Sequence, residues 1–107
     1  MAFRLTVTRR ALADLRLIFL WKCERARSTV GAQRWYEKLR ATMRSLTSSP
    51  ERCGLAAEDE WYDGELRELI HGKRRQAVRI LFEVQGDEVV VLRVRHANQD
   101  FLGPDEL

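Results

Sequence analysis

The side chains best suited to chemistry lie near the carboxyl end of the chain, where Arg93 and Arg95 precede His96. An unperturbed imidazole titrates near neutrality, so His96 could transfer a proton. It could instead form a hydrogen bond with a backbone carbonyl at a strand end, with Asp100 capping the next turn. Proton transfer and a purely structural role therefore both stay open.

Metal and cofactor chemistry is not predicted from the residue types. Cys23 and Cys53 are too few for a disulfide framework and are not spaced as zinc ligands, so we interpret both as reduced thiols. His71 is a lone histidine with no ligand partner in its segment. We therefore expect no metal and no cofactor.

The elements that position these residues belong to one domain. The 107 residues are 45% hydrophobic and 33% charged, as expected for a globular domain with one core. We predict a single domain over residues 1–102 and a loose tail over residues 103–107. The sequence contains no apolar signal segment and no apolar stretch long enough to span a bilayer, so we expect a cytoplasmic protein without a membrane partner.

Charge is unevenly distributed along the chain. Residues 1–52 carry 12 Lys/Arg against 4 Asp/Glu, whereas residues 53–66 carry 5 Asp/Glu and no Lys/Arg. A basic half indicates an anionic partner, which could be nucleic acid or an acidic protein segment. Solvated faces of long helices are an alternative explanation for the same charges.

Hydrophobic periodicity predicts an α+β chain with the element order β-α-α-β-β-β. The expected elements are a strand at 3–7, helices at 9–24 and 28–47, and strands at 65–70, 76–85 and 88–95. Two adjacent amphipathic helices should form an antiparallel hairpin that covers the apolar face of the strands. We expect the core to contain Leu15, Ile18, Leu39, Met43, Ile80, Phe82, Leu92 and Val94.

The register of the last two strands decides which side chains share a face. A three-residue loop at 86–88, closed by a Gln85–Val89 pair, would keep the apolar rows of both strands on the helix side. The same register places Arg79 opposite Arg95 and Arg93 opposite Leu81. Clustered like charges on a sheet face cost stability unless an anion arrives. Salt bridges to Glu83 or Glu68 are the alternative explanation for these arginines.

At this point the order and spacing of the elements resemble a known superfamily. The block from Glu65 to Leu69, the arginine-containing strand at 78–84 and the run from Val89 to His96 with Asp100 are similar to the carboxyl half of RelE/ParE-type toxins. Residues 3–15 and the ending near Pro50 also fit this superfamily. The resemblance implies two helices on a twisted, mainly antiparallel sheet, and the function of a toxin in a type II toxin–antitoxin pair.

One branch of the superfamily resembles ribosome-dependent mRNA endonucleases. That chemistry needs an acid, a base and cations that hold the scissile phosphate. By resemblance, Arg67, Arg79 and His96 are the candidate catalytic residues. The terminal sequence departs from this branch, because Ala97 to Gln99 replace a basic cluster and Phe101 has no hydroxyl that could stand in for a tyrosine.

The other branch is ParE-like and comprises toxins that inhibit DNA gyrase by binding it. Its terminal pattern is similar to the run from Arg93 to His96 followed by Asp100, and its helical hairpin is long, as is predicted for this chain. The hypothesis favoured by the sequence is therefore gyrase inhibition without catalysis. The alternatives are mRNA cleavage, or a weak or lost toxicity that leaves only antitoxin binding.

The resemblance also implies a cognate antitoxin whose disordered segment folds on the toxin. We expect this partner on the sheet face that carries Arg79, Arg93 and Arg95, which we call the arginine face. We expect DNA contact only indirectly, through the antitoxin. A DNA-binding module is disfavoured because no helix-turn-helix is evident. The predicted partner-binding residues are Arg79, Arg93, Arg95, Val89, Val91 and Asp100.

Overall fold

Two helices pack on one face of a four-stranded sheet in the computed structural model, which describes residues 2–26 and 28–107. Met1, the first residue of the predicted domain, lies outside the described residues. The elements are β1 (Arg4–Val7), α1 (Arg9–Ala26), α2 (Thr29–Arg44), β2 (Arg67–His71), β3 (Val78–Gln85) and β4 (Glu88–His96). The predicted α+β order is therefore confirmed.

The sheet has the strand order β1-β4-β3-β2 and is mainly antiparallel. Only β1 pairs in parallel, with the first half of β4. Because β1 and β2 lie at the two ends of this order, each has one edge without a neighbouring strand among the described residues. The helices begin at side-chain caps, since Thr8 Oγ1 accepts from the Ala11 N–H at 3.2 Å and Ser28 Oγ accepts from the Gly31 N–H at 3.3 Å.

The main core lies between the helical hairpin and the sheet. Its buried side chains come from α1, α2, β3 and β4 and from Leu46 and Cys53 after α2, and Phe82 is the largest that is fully buried. Seven of the eight predicted core residues lie here, namely Leu15, Ile18, Leu39, Met43, Ile80, Phe82 and Val94. The prediction for Leu92 is wrong, because this side chain is half-buried and packs on the other face of the sheet.

The predicted three-residue loop between β3 and β4 is also wrong. Gln85 pairs with Glu88, so the turn holds only Gly86 and Asp87, and Gly86 supplies a φ of 63°. The register then shifts by one residue at a bulge opposite the Leu81/Phe82 step, where Leu92 is the extra residue.

The bulge moves two predicted surface residues into the core. Val89 and Val91 face the helices and have no exposed surface, so the prediction that they lie on the arginine face is wrong. Beyond the bulge the predicted pairs are confirmed, since Arg79 lies opposite Arg95 and Leu81 opposite Arg93.

The other face of the sheet is covered by the acidic segment 53–66 and by the carboxyl-terminal residues. Together they form a second, smaller cluster of buried side chains: Ala56, Leu66, Leu81 and Leu102. The tail 103–107, expected to be loose, is held by Arg10, which donates to the Asp105 carbonyl at 3.2 Å, and by packing of Leu107. Within the described residues, no helix has the length and apolarity needed to cross a membrane.

Candidate functional site

The arginine face was expected to bind an anion, but carboxylates of the chain itself already pair with Arg79 and Arg93. Arg79 is 5% exposed, and its guanidinium donates two hydrogen bonds to Glu58, at 3.0 and 2.6 Å, and a third to Glu68. The ring of Phe101 lies over this guanidinium, with its centroid 5.2 Å from Cζ. The Glu68 ion pair matches the alternative explanation drawn from the sequence, whereas the Glu58 pair was not predicted.

The charges of this buried network stabilise one another. Burial raises the pKa of Glu58, but hydrogen bonds from Arg79 and from the Leu102 N–H outweigh it and lower the pKa below its usual value. Burial likewise opposes the charge of Arg79, yet Glu58 and Glu68 raise the pKa of its guanidinium. The network therefore stays ionised, and it joins the acidic segment and the carboxyl-terminal residues to β3.

Arg93 is bound to α1 in a similar way. Its Nε and Nη2 donate to Asp14 at 2.7 and 2.9 Å, and Asp14 also accepts from the Val94 N–H at 2.9 Å. Asp14 thus accepts the N–H of a β4 residue that lies beyond the end of β1 and has no partner in that strand. The Asp14 pair, like the buried network, leaves little free positive charge on the predicted arginine face.

Replacing Asp14 with alanine should lower the free energy of unfolding by about 2 kcal/mol, because charge-assisted hydrogen bonds to Arg93 and a strand N–H are lost together. Amide hydrogen exchange should quicken at Val94 at the same time. A stability loss below about 0.5 kcal/mol, with unchanged exchange at Val94, would contradict this role.

Arg95 and Asp100 are close to each other, but through the backbone. Arg95 Nη2 donates to the Asp100 carbonyl at 3.2 Å, and the buried Nε of Arg95 has no partner within the part of the chain that the structure describes. The six predicted partner-binding residues therefore do not form one surface. Val89 and Val91 are buried in the core, and Arg79 and Arg93 are paired with carboxylates of the same chain. Of the six, Arg95 and Asp100 keep polar groups near the surface.

His96 lies at the end of β4 against α1. Its ring makes an edge contact with Trp21 at 4.6 Å, and its buried Nε2 has no partner among the described residues. A cavity of about 230 Å³ opens beside it, between α1 and the end of β4. Burial and the charge of Lys22 lower the pKa of His96, so the ring is neutral at pH 7.

The three candidate catalytic residues do not converge on one site. Arg67 pairs with Phe82 and His96 pairs with Val78, so both lie on the helix side of the sheet, whereas Arg79 points to the opposite side. By register, Arg67 and His96 are separated by roughly 13 Å along the strands and roughly 10 Å across them. Arg67 instead donates to the Cys53 carbonyl at 2.6 Å and to Glu65 at 2.9 Å.

A groove lies between the two helices and β1, and we call it the helix groove. It consists of two cavities of about 460 and 540 Å³ that share Leu12, Tyr36 and Arg40. The remaining lining residues are Leu5, Val7, Leu15, Arg16, Phe19, Gln33, Glu37, Met43 and Arg44.

The helix groove combines apolar walls with a basic rim. Leu12 is 54% exposed, and Phe19 and Tyr36 form an edge-to-face pair at 5.2 Å that continues the apolar surface. Arg16 and Arg40 are exposed on the rim. Among the described side chains, neither arginine forms an ion pair within 4 Å, so this surface is matched to a segment with apolar and acidic residues.

Comparisons with known proteins place this fold among toxins. The sequence matches the family model described as "ParE toxin of type II toxin-antitoxin system, parDE" over residues 5–101. A chain of the chromosomal ParDE toxin–antitoxin system from P. aeruginosa has a TM-score of 0.70 at 21% identity, over 89% of this chain and 96% of that chain. An alanine variant of the E. coli toxin RelE in the free state has a TM-score of 0.59 at 20% identity, over 92% and 86%. The curated proteins contain no significant sequence match.

Proposed function

Because the chain belongs to the ParE toxin family of type II toxin–antitoxin systems, we propose that it inhibits growth by binding a protein target, DNA gyrase, and that a cognate antitoxin neutralises it. Such a target places its action in the cytoplasm. The observation that carries this proposal is the separation of Arg67, Arg79 and His96, which lie on two sides of the sheet.

Separated groups cannot act together on one phosphate. General acid–base cleavage requires the proton donor, the acceptor and the phosphate-binding cations within hydrogen-bond reach of the same reacting atoms. Arg79 is moreover engaged with Glu58 and Glu68. The geometry therefore supports a toxin that acts by binding rather than by cutting RNA.

The helix groove supports the antitoxin part of the proposal. A disordered segment that folds on binding needs apolar surface to offset its ordering entropy, and it gains specificity from complementary charge. The groove supplies both, with Leu12, Phe19 and Tyr36 as apolar surface and Arg16 and Arg40 as cations. We place the antitoxin here rather than on the arginine face, whose guanidiniums at Arg79 and Arg93 are already paired.

Expression of the chain without its antitoxin tests the target. We expect loss of DNA supercoiling and induction of DNA-damage signalling, while mRNA in translating ribosomes stays intact. Plasmid topoisomers and mapped mRNA ends are measured within minutes of induction. Intact supercoiling with codon-specific mRNA cleavage would replace gyrase by the ribosome.

Ribosome-dependent mRNA cleavage is the second candidate because one feature favours it. His96 has a buried Nε2 without a partner among the described residues, and the ring borders an open cavity. If the chain cleaves mRNA, His96→Ala should abolish the cleavage. If it inhibits gyrase by binding, the same substitution removes no catalytic group. Supercoiling loss that persists in His96→Ala would therefore exclude the alternative.

A further inference from the structure

One end of the molecule gathers positive charge from three elements. We call it the basic end and define it by Lys22 and Arg25 of α1, Lys38 of α2, and Lys73 and Arg74 of the turn after β2. Both histidines of the chain mark this end, because His71 and His96 pair with Val78 from its two sides.

Contacts across the basic end connect these elements. Lys22 Nζ lies 5.2 Å from the ring centroid of Trp35, and Arg25 Cζ lies 5.2 Å from that of Trp21. Trp35 in turn makes an edge contact with His71 at 6.2 Å, as Trp21 does with His96 at 4.6 Å. Lys22 and Arg25 therefore lie beside the two histidines that flank Val78, where the β2–β3 turn adjoins the sheet.

Carboxylates among the described residues do not pair with the cations of the basic end. Among the described residues, none of its five cations forms an ion pair within 4 Å, in contrast to Arg79 and Arg93. Glu24 lies on the same helix end and leaves the net charge positive. The two histidines are affected by this positive charge. Burial lowers the pKa of each ring most, and the charge of Lys38 lowers the pKa of His71 further, as that of Lys22 does for His96.

The basic end differs from the helix groove in what it offers a partner. The tryptophan rings are half-buried and already contacted by cations and histidines, but Leu17 beside His96 and Val30 at the start of α2 stay exposed. A folding protein segment needs apolar surface to bury, which favours the groove. A surface whose cations form no ion pair among the described residues matches a regular polyanion, whose binding is driven by counterion release and needs no apolar contact.

We propose that the basic end binds the phosphate backbone of nucleic acid without reading its sequence. This role is separate from antitoxin binding in the helix groove and does not depend on gyrase as the target. It differs from the expectation that DNA is contacted only through the antitoxin. Lys73 and Arg74 are the contacts best placed to be varied, because they are exposed turn residues.

Fluorescence anisotropy of labelled oligonucleotides tests the proposal with the purified chain. The probes are a 20-base-pair duplex DNA of arbitrary sequence and a 20-nucleotide single-stranded RNA, each titrated between 50 and 200 mM salt. The slope of log K against log salt is negative. In the variant Lys73→Gln/Arg74→Asn, it should become less steep by about 2 for the duplex. Asparagine is chosen because Arg74 has a φ of 56°, which asparagine tolerates.

A matched variant removes two exposed arginines from the opposite end of the molecule. Arg9→Gln/Arg10→Gln changes the net charge equally and should leave the slope within about 0.5 of the unmodified chain, because both residues lie at the start of α1, away from the basic end. The probe bound more tightly identifies DNA or RNA as the source of the backbone. Equal effects of the two variants, no binding at 50 mM salt, or stronger binding of polyglutamate than of either oligonucleotide would overturn the proposal.

Discussion

Replacing Arg79 with leucine is expected to destabilise the chain by about 3–5 kcal/mol at pH 7, because a buried carboxylate loses its counter-charge. Glu58 is 1% exposed, and its remaining hydrogen bond comes from the Leu102 N–H at 3.1 Å. Leucine fills part of the space but donates nothing. Urea unfolding of both proteins at pH 7 measures the difference.

The double variant Glu58→Gln/Arg79→Leu separates lost charge from lost volume. Glutamine still accepts from the Leu102 N–H and carries no charge, so the double variant should be more stable than Arg79→Leu alone. If the double variant is equally unstable, packing rather than the uncompensated carboxylate determines the loss. Residue-resolved hydrogen exchange should show the acidic segment and residues 101–102 opening first in the single variant.

The same pair predicts how stability changes with pH. The pKa of Glu58 is lowered in the folded chain, so its contribution is present above the unfolded value of 4.5 and is lost as pH falls through the folded pKa. In Arg79→Leu burial raises the pKa of Glu58, which makes the penalty largest at neutral pH. The stability gap between the two proteins should therefore narrow as the pH falls, first above 4.5, where Glu58 of the variant takes up a proton, and then below 4.5, where Glu58 of the unmodified chain does.

The elements could be predicted from the sequence because each carries a local signal. Thr8 and Ser28 cap their helices, and alternation along β3 places Ile80 and Phe82 in the core. These signals depend on neighbouring residues and on chain periodicity. The resemblance to RelE/ParE toxins supplied the sheet type, which the structure confirms.

The bulge in β4 could not be predicted by the same reasoning. A three-residue loop and a two-residue turn followed by a bulge both place Arg79 opposite Arg95, so the apolar pattern beyond the bulge does not distinguish them. They differ before and at the bulge, where Val89 and Val91 exchange faces with Val90 and Leu92. One inserted residue thus moved two predicted partner contacts into the core.

The arginine face was misjudged because its partners are distant along the chain. Glu58 precedes Arg79 by 21 residues and lies in an irregular segment, and Asp14 precedes Arg93 by 79 residues. Periodicity gives no information about such contacts. A run of carboxylates without any Lys or Arg at 53–66 was the available signal that the arginines have partners within the chain.

The helix groove was missed because the apolar faces of both helices were expected to cover the sheet. Leu12 and Phe19 lie to one side of the core positions Leu15 and Ile18, and they line the groove together with Tyr36. The signal in the sequence was the width of the apolar surface of α1, which is greater than a helix buried on one side needs. Combined with Arg16 and Arg40, it indicates a partner rather than an unfinished core.

Leu12→Glu is expected to weaken antitoxin binding at least about a hundredfold, which is about 2.8 kcal/mol. Leu12 borders both cavities of the helix groove. A carboxylate there removes apolar contact area and repels the acidic residues expected in the partner. Affinity is measured by isothermal titration of the purified chain with the protein encoded by the neighbouring reading frame.

Leu20→Glu is the matched control because the two leucines are equally exposed on α1, at 53% for Leu20 and 54% for Leu12. Leu20 does not line the helix groove, so its variant should bind the antitoxin like the unmodified chain. In growing cells, coexpressed antitoxin should then rescue Leu20→Glu but not Leu12→Glu, provided that each variant inhibits growth when expressed alone. If Leu12→Glu keeps the affinity of the unmodified chain, the antitoxin binds elsewhere, since a buried carboxylate in its binding site must cost affinity.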